Sequence, residues 1–293
     1  MSRTEHDVVE ESQPAFYVWA AKRLVRDPGT MVGLIMLALL VLAAVFAPQL
    51  APNDPYRLDP PNRLSSPGEV PEYRLGTDEG GRCILSRLLY GGRLSLRAGL
   101  ISTAIGVSLG TTIGVLGGFY NSLDNILLRI VDIMMAIPGI LLALAIVSIL
   151  GPGLTNVMIA VGIRITPAFA RVTRSQVISL KEQTYVESAR AAGARDLRII
   201  WRHILVNFVS VLIVFSTLYM ASALMSVSVL SFLGFGVRAP AAEWGMMASS
   251  GRNYFLEAPH VIVVPSLAIM AAILSLNLVG DALRDILDPR LRQ

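Results

Sequence analysis

Apolar residues in this chain come in long blocks, separated by short stretches rich in proline, glycine and arginine. An α-helix needs about 20 mostly apolar residues to cross a bilayer. Six blocks come near that length: Thr30–Leu50, Leu94–Phe119, Ile126–Leu150, Leu154–Val172, Ile204–Val229 and Ala258–Val279. The pattern predicts an all-α, polytopic membrane protein with six transmembrane helices. Pro48 and Pro52 close the first block, and Gly151-Pro152-Gly153 closes the third. Pro138 and Pro167 fall inside the third and fourth blocks, where each would kink a helix and free backbone carbonyls. The expected organisation is a cytoplasmic tail (1–29), a first transmembrane helix (30–50), an extracytoplasmic segment (51–93) and a five-helix core (94–293). The core carries a charged cytoplasmic element at 183–203.

Six crossings put both termini on one side of the membrane. Lys and Arg gather in the N-terminal tail, between Arg171 and Arg202, and in the C-terminal tail, which places both termini in the cytoplasm. The opposing stretch from Asn53 to Arg93 holds six arginines, but six acids accompany them. About thirty polar residues precede the first block, with Lys22, Arg23 and Arg26 just before it. They read as the flank of an uncleaved start-transfer helix, not of a removable signal.

Composition agrees with a membrane protein. Of 293 residues 54% are hydrophobic and 16% charged, with mean hydropathy +0.60, whereas soluble domains carry about 25% charged residues. The net charge of +4 and pI near 9.5 do not point to nucleic acid, because loops flanking membrane spans are rich in basic residues. The single cysteine, Cys83, excludes an intrachain disulfide. His6, His203 and His260 lie in no ligand-spaced motif, so no metal site is expected. No GxxxxGK[ST] phosphate loop occurs. If this chain moves something at the expense of ATP, the ATPase is another chain.

One polar stretch needs its own account: YVESARAAGARDLRIIWRHIL, Tyr185 to Leu205. Thr184 and Glu187 have the spacing of a capping box. Good helix formers run from Glu187 to Ala192, Gly193 suits a left-handed helix end, and Asp196 suits the N-cap of a second helix from Leu197 into the fifth span. Val186, Ala189, Ala192 and Gly193 offer small apolar surface on which another protein could approach closely. The alternative is an amphipathic helix on lipid headgroups with its arginines snorkelling to phosphates. The small residues favour the docking surface.

That stretch resembles the EAA signature of ATP-binding cassette importer permeases, with Glu187, Ala189, Gly193, Ile204 and Leu205 matching. Ser188 stands where alanine is usual and Val206 where proline is usual. RLGTDEGGRCILSRLLYGGRLSL, RIVDIMMAIPGILLALAI, LSFLGFGVRAPAAEWGMM and NLVGDALRDILDPRLR are similar, in order, to the C-type permease of dipeptide, oligopeptide and nickel importers. Cys83 stands where that subfamily often has aspartate. The resemblance implies a type I importer permease fold in the bacterial inner membrane, with no bond chemistry in this chain. It implies four partners: a homologous B-type permease, two cytoplasmic ATPase subunits that hold ATP and Mg, and an extracytoplasmic substrate-binding protein. Glu187, Ser188, Ala189, Ala192, Gly193, Asp196, Leu197, Ile204 and Leu205 would couple to the ATPases. The binding protein would dock on Asn53–Arg93 and on the outer loop Ser231–Glu257 with Trp244. Peptide is the implied cargo, with a nickel chelate or glutathione as alternatives. A secondary transporter fits less well, since no inverted repeat and no pair of mid-membrane acids is present. A plain membrane anchor would leave the cytoplasmic element unexplained.

Four further features carry two readings each. Gly106, Gly110, Gly114 and Gly118 make a small-residue seam, either packing within the chain or moving against a partner permease. Arg129 and Asp132 could pair across one helical turn or serve a function. Arg164 falls mid-span, where an isolated charge costs a few kcal/mol, and should face the bundle interior or a translocation pathway. Met134, Met135 and Pro138 could belong to the same pathway wall, as could Met246 and Met247, or could be ordinary packing.

Overall fold

Asp27 starts the first helix: its carboxylate accepts the Thr30 N–H at 2.7 Å, and Pro28 sits where a missing N–H costs nothing. The computed structural model describes residues 27–287. The basic cluster Lys22–Arg26, most of the expected tail and the last six residues lie outside them. Helix α1 (Pro28–Val45) is apolar on every side and mostly exposed, as a lipid-facing helix should be. It runs antiparallel to α2 (Ile84–Phe119). A Cβ at Gly92 would lie 3.5 Å from the Ala44 Cβ.

Short helical turns occur at Ala47–Leu50, Pro60–Asn62 and Arg252–Tyr254, and the longer helices that follow α2 are α3 (Asn121–Ala136), α4 (Gly139–Leu150), α5 (Leu154–Lys181), α6 (Thr184–Ala191), α7 (Asp196–Phe232), α8 (Trp244–Gly251) and α9 (His260–Leu287). The described residues are helical apart from loops and one isolated bridge, Thr77 to Cys83.

The glycine seam is the tightest packing in the bundle, and it lies within the chain. A Cβ at Gly110 would come within 2.6 Å of the Thr166 carbonyl, one at Gly114 within 2.6 Å of the Ala170 carbonyl, and one at Gly118 within 2.8 Å of the Val177 Cβ. From the other side, a Cβ at Gly162 would meet Ile105 at 2.6 Å. Backbone contact along the whole α2–α5 pair is possible because every fourth residue of α2 lacks a side chain.

Three expectations need correction. Among the described residues four helices are long and apolar enough to cross a membrane: α1, α2, α7 and α9. The predicted third span is not one helix. It breaks at Ile137–Pro138 into α3 and α4, which meet at 97°, and the pair counts as a fifth span only if taken together. Proline cannot donate its N–H and biases its predecessor out of the helical region, so α3 ends at Ala136 and Pro138 becomes the N-cap of α4. The predicted fourth span lies in α5, which has the length, but Arg164, Arg171, Arg174 and Lys181 dilute its apolar run. Pro167 stays inside that one helix. The third correction concerns α2, which starts at Ile84, ten residues before the expected Leu94, because its first turns are buried under a cap formed by the segment that precedes it.

The cap is folded around a buried charge cluster. Arg82 donates to Asp78 at 2.8 Å and to Glu79 at 2.8 Å, and the Arg87 Nε lies 3.1 Å from Asp78. Arg87 also donates to the carbonyls of Pro55 at 3.2 Å and Pro240 at 3.0 Å, which ties the segment before α2 to the loop before α8. A buried charge persists only when paired and hydrogen-bonded in this way. Tyr73 donates to Asp59 at 2.7 Å, and that bond, with burial, pushes its phenol up to about 12. Trp244 was expected to face a docking protein. Instead it is 2% exposed, packs on Gly91 and Gly92, and donates its indole N–H to the Leu88 carbonyl at 2.9 Å.

Candidate functional site

Two places merit attention, and the first is the punctuated polar element from Thr184 to Leu205. Helix α6 starts one residue earlier than the capping-box pattern suggests. Gln183 is its N-cap and Thr184 its first helical residue, with no side-chain cap bond. The Thr184 carbonyl instead accepts the Ser188 hydroxyl at 2.8 Å. The other end follows the sequence closely. Gly193 has φ +82°, its N–H reaches the Arg190 carbonyl at 3.0 Å, and the Ala194 N–H reaches the Ala189 carbonyl at 3.0 Å. This double bond is a Schellman cap, and its left-handed residue favours glycine. Asp196 is the first residue of α7 and not its N-cap, which is Arg195. Burial and then the Asp196 charge push the Tyr120 phenol up. Between Ile200 and Leu205 the helix widens into a π turn before running on through the bilayer. Such turns store a local irregularity and recur at functional sites.

The element splits into anchors and free surface. Val186, Ile199 and Ile204 are fully buried against Phe119 of α2, Phe169 and Val177 of α5, and Phe208 of α7. Leu205 is partly buried against the same cluster. Glu187, Ser188, Ala192, Gly193, Asp196 and Leu197 lie exposed, and Ala189 half-exposed. So Ile204 and Leu205, expected among the docking residues, hold the element in place, while the others present it. Two exposed apolar side chains went unremarked in the sequence: Trp201 and Tyr185, 63% and 41% exposed. A tryptophan three residues from Arg198 in a polar, arginine-rich stretch was the available signal. Arg190 stands 6.0 Å over the Phe119 ring.

Polar bonds tie the base of α5 to its neighbours. Asp124 takes both arms of Arg174, at 2.6 and 2.5 Å, and the pair holds the carboxyl below its ordinary range. Asp132 pairs with Arg171 at 2.6 Å and not with Arg129 across its own helical turn. Lys181 donates to the Gly118 carbonyl at 2.9 Å and so caps the end of α2.

The second place is the break between α3 and α4. Arg164 of α5 reaches it and is mostly buried. Its Nη2 donates to the Ser222 hydroxyl of α7 at 2.8 Å, while its buried Nε has no partner among the described residues. No carboxylate pairs with it among those residues. Gly139 leaves the room: a Cβ there would sit 3.2 Å from the guanidinium. The helix N-terminus at Gly139 is itself electropositive, so two positive ends meet at one point. Pro138 is exposed at the break, Met135 is 47% exposed on the last turn of α3, and Met134 is half-exposed beside it. Met247 is buried on α8.

Glu243 was not singled out in the sequence. It is fully buried and accepts the N–H groups of Gly245 and Met246 at 2.9 Å each, with the Ser95 hydroxyl at 3.1 Å. Burial raises its carboxyl despite those bonds. It caps α8 and pins it to α2. Among the described residues no group of three or more His, Cys, Asp or Glu is placed to hold a metal.

The family of binding-protein-dependent transport system inner membrane components matches residues 109–293. The N-terminal transmembrane domain of oligopeptide transport permease C matches residues 17–67. A dipeptide transport system permease protein of Alkalihalophilus pseudofirmus is 42% identical over 97% of this chain and 93% of its own. A glutathione transport system permease protein of Pectobacterium atrosepticum is 43% identical over 92% and 90%. A di/tripeptide transport system permease protein of Pseudomonas aeruginosa is 44% identical over 91% and 89%. Among solved structures, an inward-facing methionine ABC transporter matches with TM-score 0.56 at 19% identity, over 69% of this chain and 96% of that one, a likeness of fold.

Proposed function

This chain belongs to the family of binding-protein-dependent transport system inner membrane components, and from that membership we propose that it is one permease subunit of an ATP-driven importer of di- and oligopeptides. Relatives named for dipeptide and di/tripeptide transport, matching nearly the whole chain, support the cargo. The relative named for glutathione transport favours a second reading within the same chemistry, since glutathione is itself a small peptide. The permease would form half of the pathway beside a homologous B-type permease. Two ATPase subunits, holding ATP and Mg, would sit against the cytoplasmic face, and a soluble binding protein would deliver cargo to the outer cap.

One observation carries the coupling part. The stretch from Thr184 to Trp201 is fastened by buried apolar anchors yet presents Glu187, Ser188, Ala192, Gly193, Asp196, Leu197 and Trp201 to the outside. A rigidly held surface with small and apolar exposed residues suits a groove in a partner protein. Closure of the ATPase dimer would push on it, and α7, continuous with it, would carry the motion into the membrane. Arg164, with Met134, Met135 and Pro138 at the α3–α4 break, would border the pathway. Gentle purification of the tagged chain from native membranes tests the assembly. Recovery of a second permease and of chains bearing the GxxxxGK[ST] loop is expected. Recovery of this chain alone as a stable homo-oligomer would sink the proposal.

A further inference from the structure

A cavity of about 680 Å³ opens between α1 and α2, away from both places described above. Its lower wall is apolar, made by Leu37 and Val41 of α1, Leu100 of α2 and Met220 of α7. Its upper rim carries Tyr56, Tyr90, Arg93 and Arg97. Arg93 and Arg97 are exposed one turn apart on the same face of α2, and neither pairs with a carboxylate among the described residues.

Depth in the bilayer follows from the helix pair. Ala44, near the outer end of α1, is level with Gly92 of α2. At 1.5 Å per residue, Arg93 therefore lies at the outer end of the apolar run of α1, and Arg97 about 6 Å further in. Leu37 and Leu100 fall about 10–12 Å below the same level. The N-terminus of α2 faces outward, and side chains lean toward the N-terminus of their helix. Both guanidinium groups are thus directed up toward the headgroup zone, where Tyr90, less than one turn before Arg93 on α2, and Tyr56 line the same cavity. Tyrosine and arginine are the residues expected where an apolar wall meets a polar surface.

We infer that this cavity is a binding site for an anionic phospholipid of the outer leaflet, its phosphate held between Arg93 and Arg97 and an acyl chain lying along Leu37, Val41, Leu100 and Met220. Charge decides the class. Two unpaired arginines select a net negative headgroup over a zwitterionic one, and Arg forks fit phosphate oxygens in pairs. The graded wall, cationic above and apolar below, fits an amphiphile and gives a free anion no use for the lower half. The inference does not rest on the transport reading.

The test uses the whole purified complex. Bound phospholipid is quantified by mass spectrometry in wild type, in Arg93→Gln/Arg97→Gln and in Arg93→Lys/Arg97→Lys. Phosphatidylglycerol should be enriched several-fold over its share of the source membrane in wild type, fall to that share in the glutamine pair, and stay enriched in the lysine pair. Equal enrichment in wild type and the glutamine pair would overturn the assignment, as would no enrichment at all. A second arm melts delipidated complex. Phosphatidylglycerol should raise the melting temperature, while phosphatidylcholine and inorganic phosphate should not. A matching shift from inorganic phosphate would mean a free-anion site. Efficient cross-linking of Val41→Cys to a second permease would mean that protein fills the groove. Either result defeats the lipid reading.

Discussion

Cys83 is the N-cap of α2, with extended backbone at φ −62° and ψ 114°, yet no side chain caps the helix. The Gly76 carbonyl takes the Ile84 N–H at 3.2 Å and leaves the next ones without a side-chain cap. Serine has nearly the shape of cysteine and a far better acceptor. Cys83→Ser should therefore stabilise the protein by about 1 kcal/mol, with Cys83→Ala near neutral, read as melting temperature of the purified complex. Arg164 makes the opposite argument. An uncompensated arginine in a span costs about 2.5–3.5 kcal/mol on insertion scales, so Arg164→Gln should leave assembly and thermal stability intact or improved. If Arg164 borders the pathway, uptake in proteoliposomes should nevertheless fall at least tenfold. Unchanged uptake would remove Arg164 from the pathway. Single residues were legible where geometry is local. Gly193 was, because a left-handed helix end admits few residues. The capping box at Thr184 was not, because Gln183 and Thr184 compete for one boundary and hydroxyl spacing alone does not choose. Glu243 was invisible because its meaning comes from Ser95, almost 150 residues away.

Helix pairs carry the next level. The periodic glycines of α2 were readable as a seam, but only the structure assigns their partner to α5 of the same chain. Gly110→Ala puts a methyl within 2.6 Å of a backbone carbonyl that cannot move alone. It should cost about 1–3 kcal/mol and lower the yield of assembled complex, measured by size-exclusion after extraction. The Asp124–Arg174 pair fastens α3 to α5 and gives a pH signature. Because the hydrogen bonds from Arg174 hold the Asp124 carboxyl below the ordinary carboxylate range, its contribution is fully present above that range. It is lost as pH falls through the lower folded value. Melting temperature should thus drop below about pH 4 in wild type, and the drop should be shallower in Asp124→Asn. Helix existence was legible from apolar runs, but ends and breaks were not. The first turns of α2 are polar because they are buried in the cap, not in lipid. The α3–α4 break looked like a kinked span because hydropathy averages over the proline.

At the scale of the whole molecule, a cap locked by Arg87 and a polar element locked by Val186, Ile199 and Ile204 stand at opposite ends of the bundle, joined by α2, α5 and α7. Each lock is buried. The π turn at Ile200–Leu205 lies where the polar element passes into α7, and it makes that junction irregular. If the proposed coupling is right, a signal must cross there in both directions. Glu187→Arg and Leu197→Asp change only exposed side chains, so folding, span insertion and the outer cap should be unaffected. In a reconstituted complex, ATPase activity without binding protein should persist, while stimulation by loaded binding protein should fall at least fivefold and uptake with it. Ile204→Asp would instead bury an unpaired charge among Phe169, Phe208 and Val186 and destroy the assembly. The contrast between a complex that is intact but deaf and one that is lost separates docking surface from anchor. Normal stimulation in both surface variants would show that the element serves only to hold the bundle together.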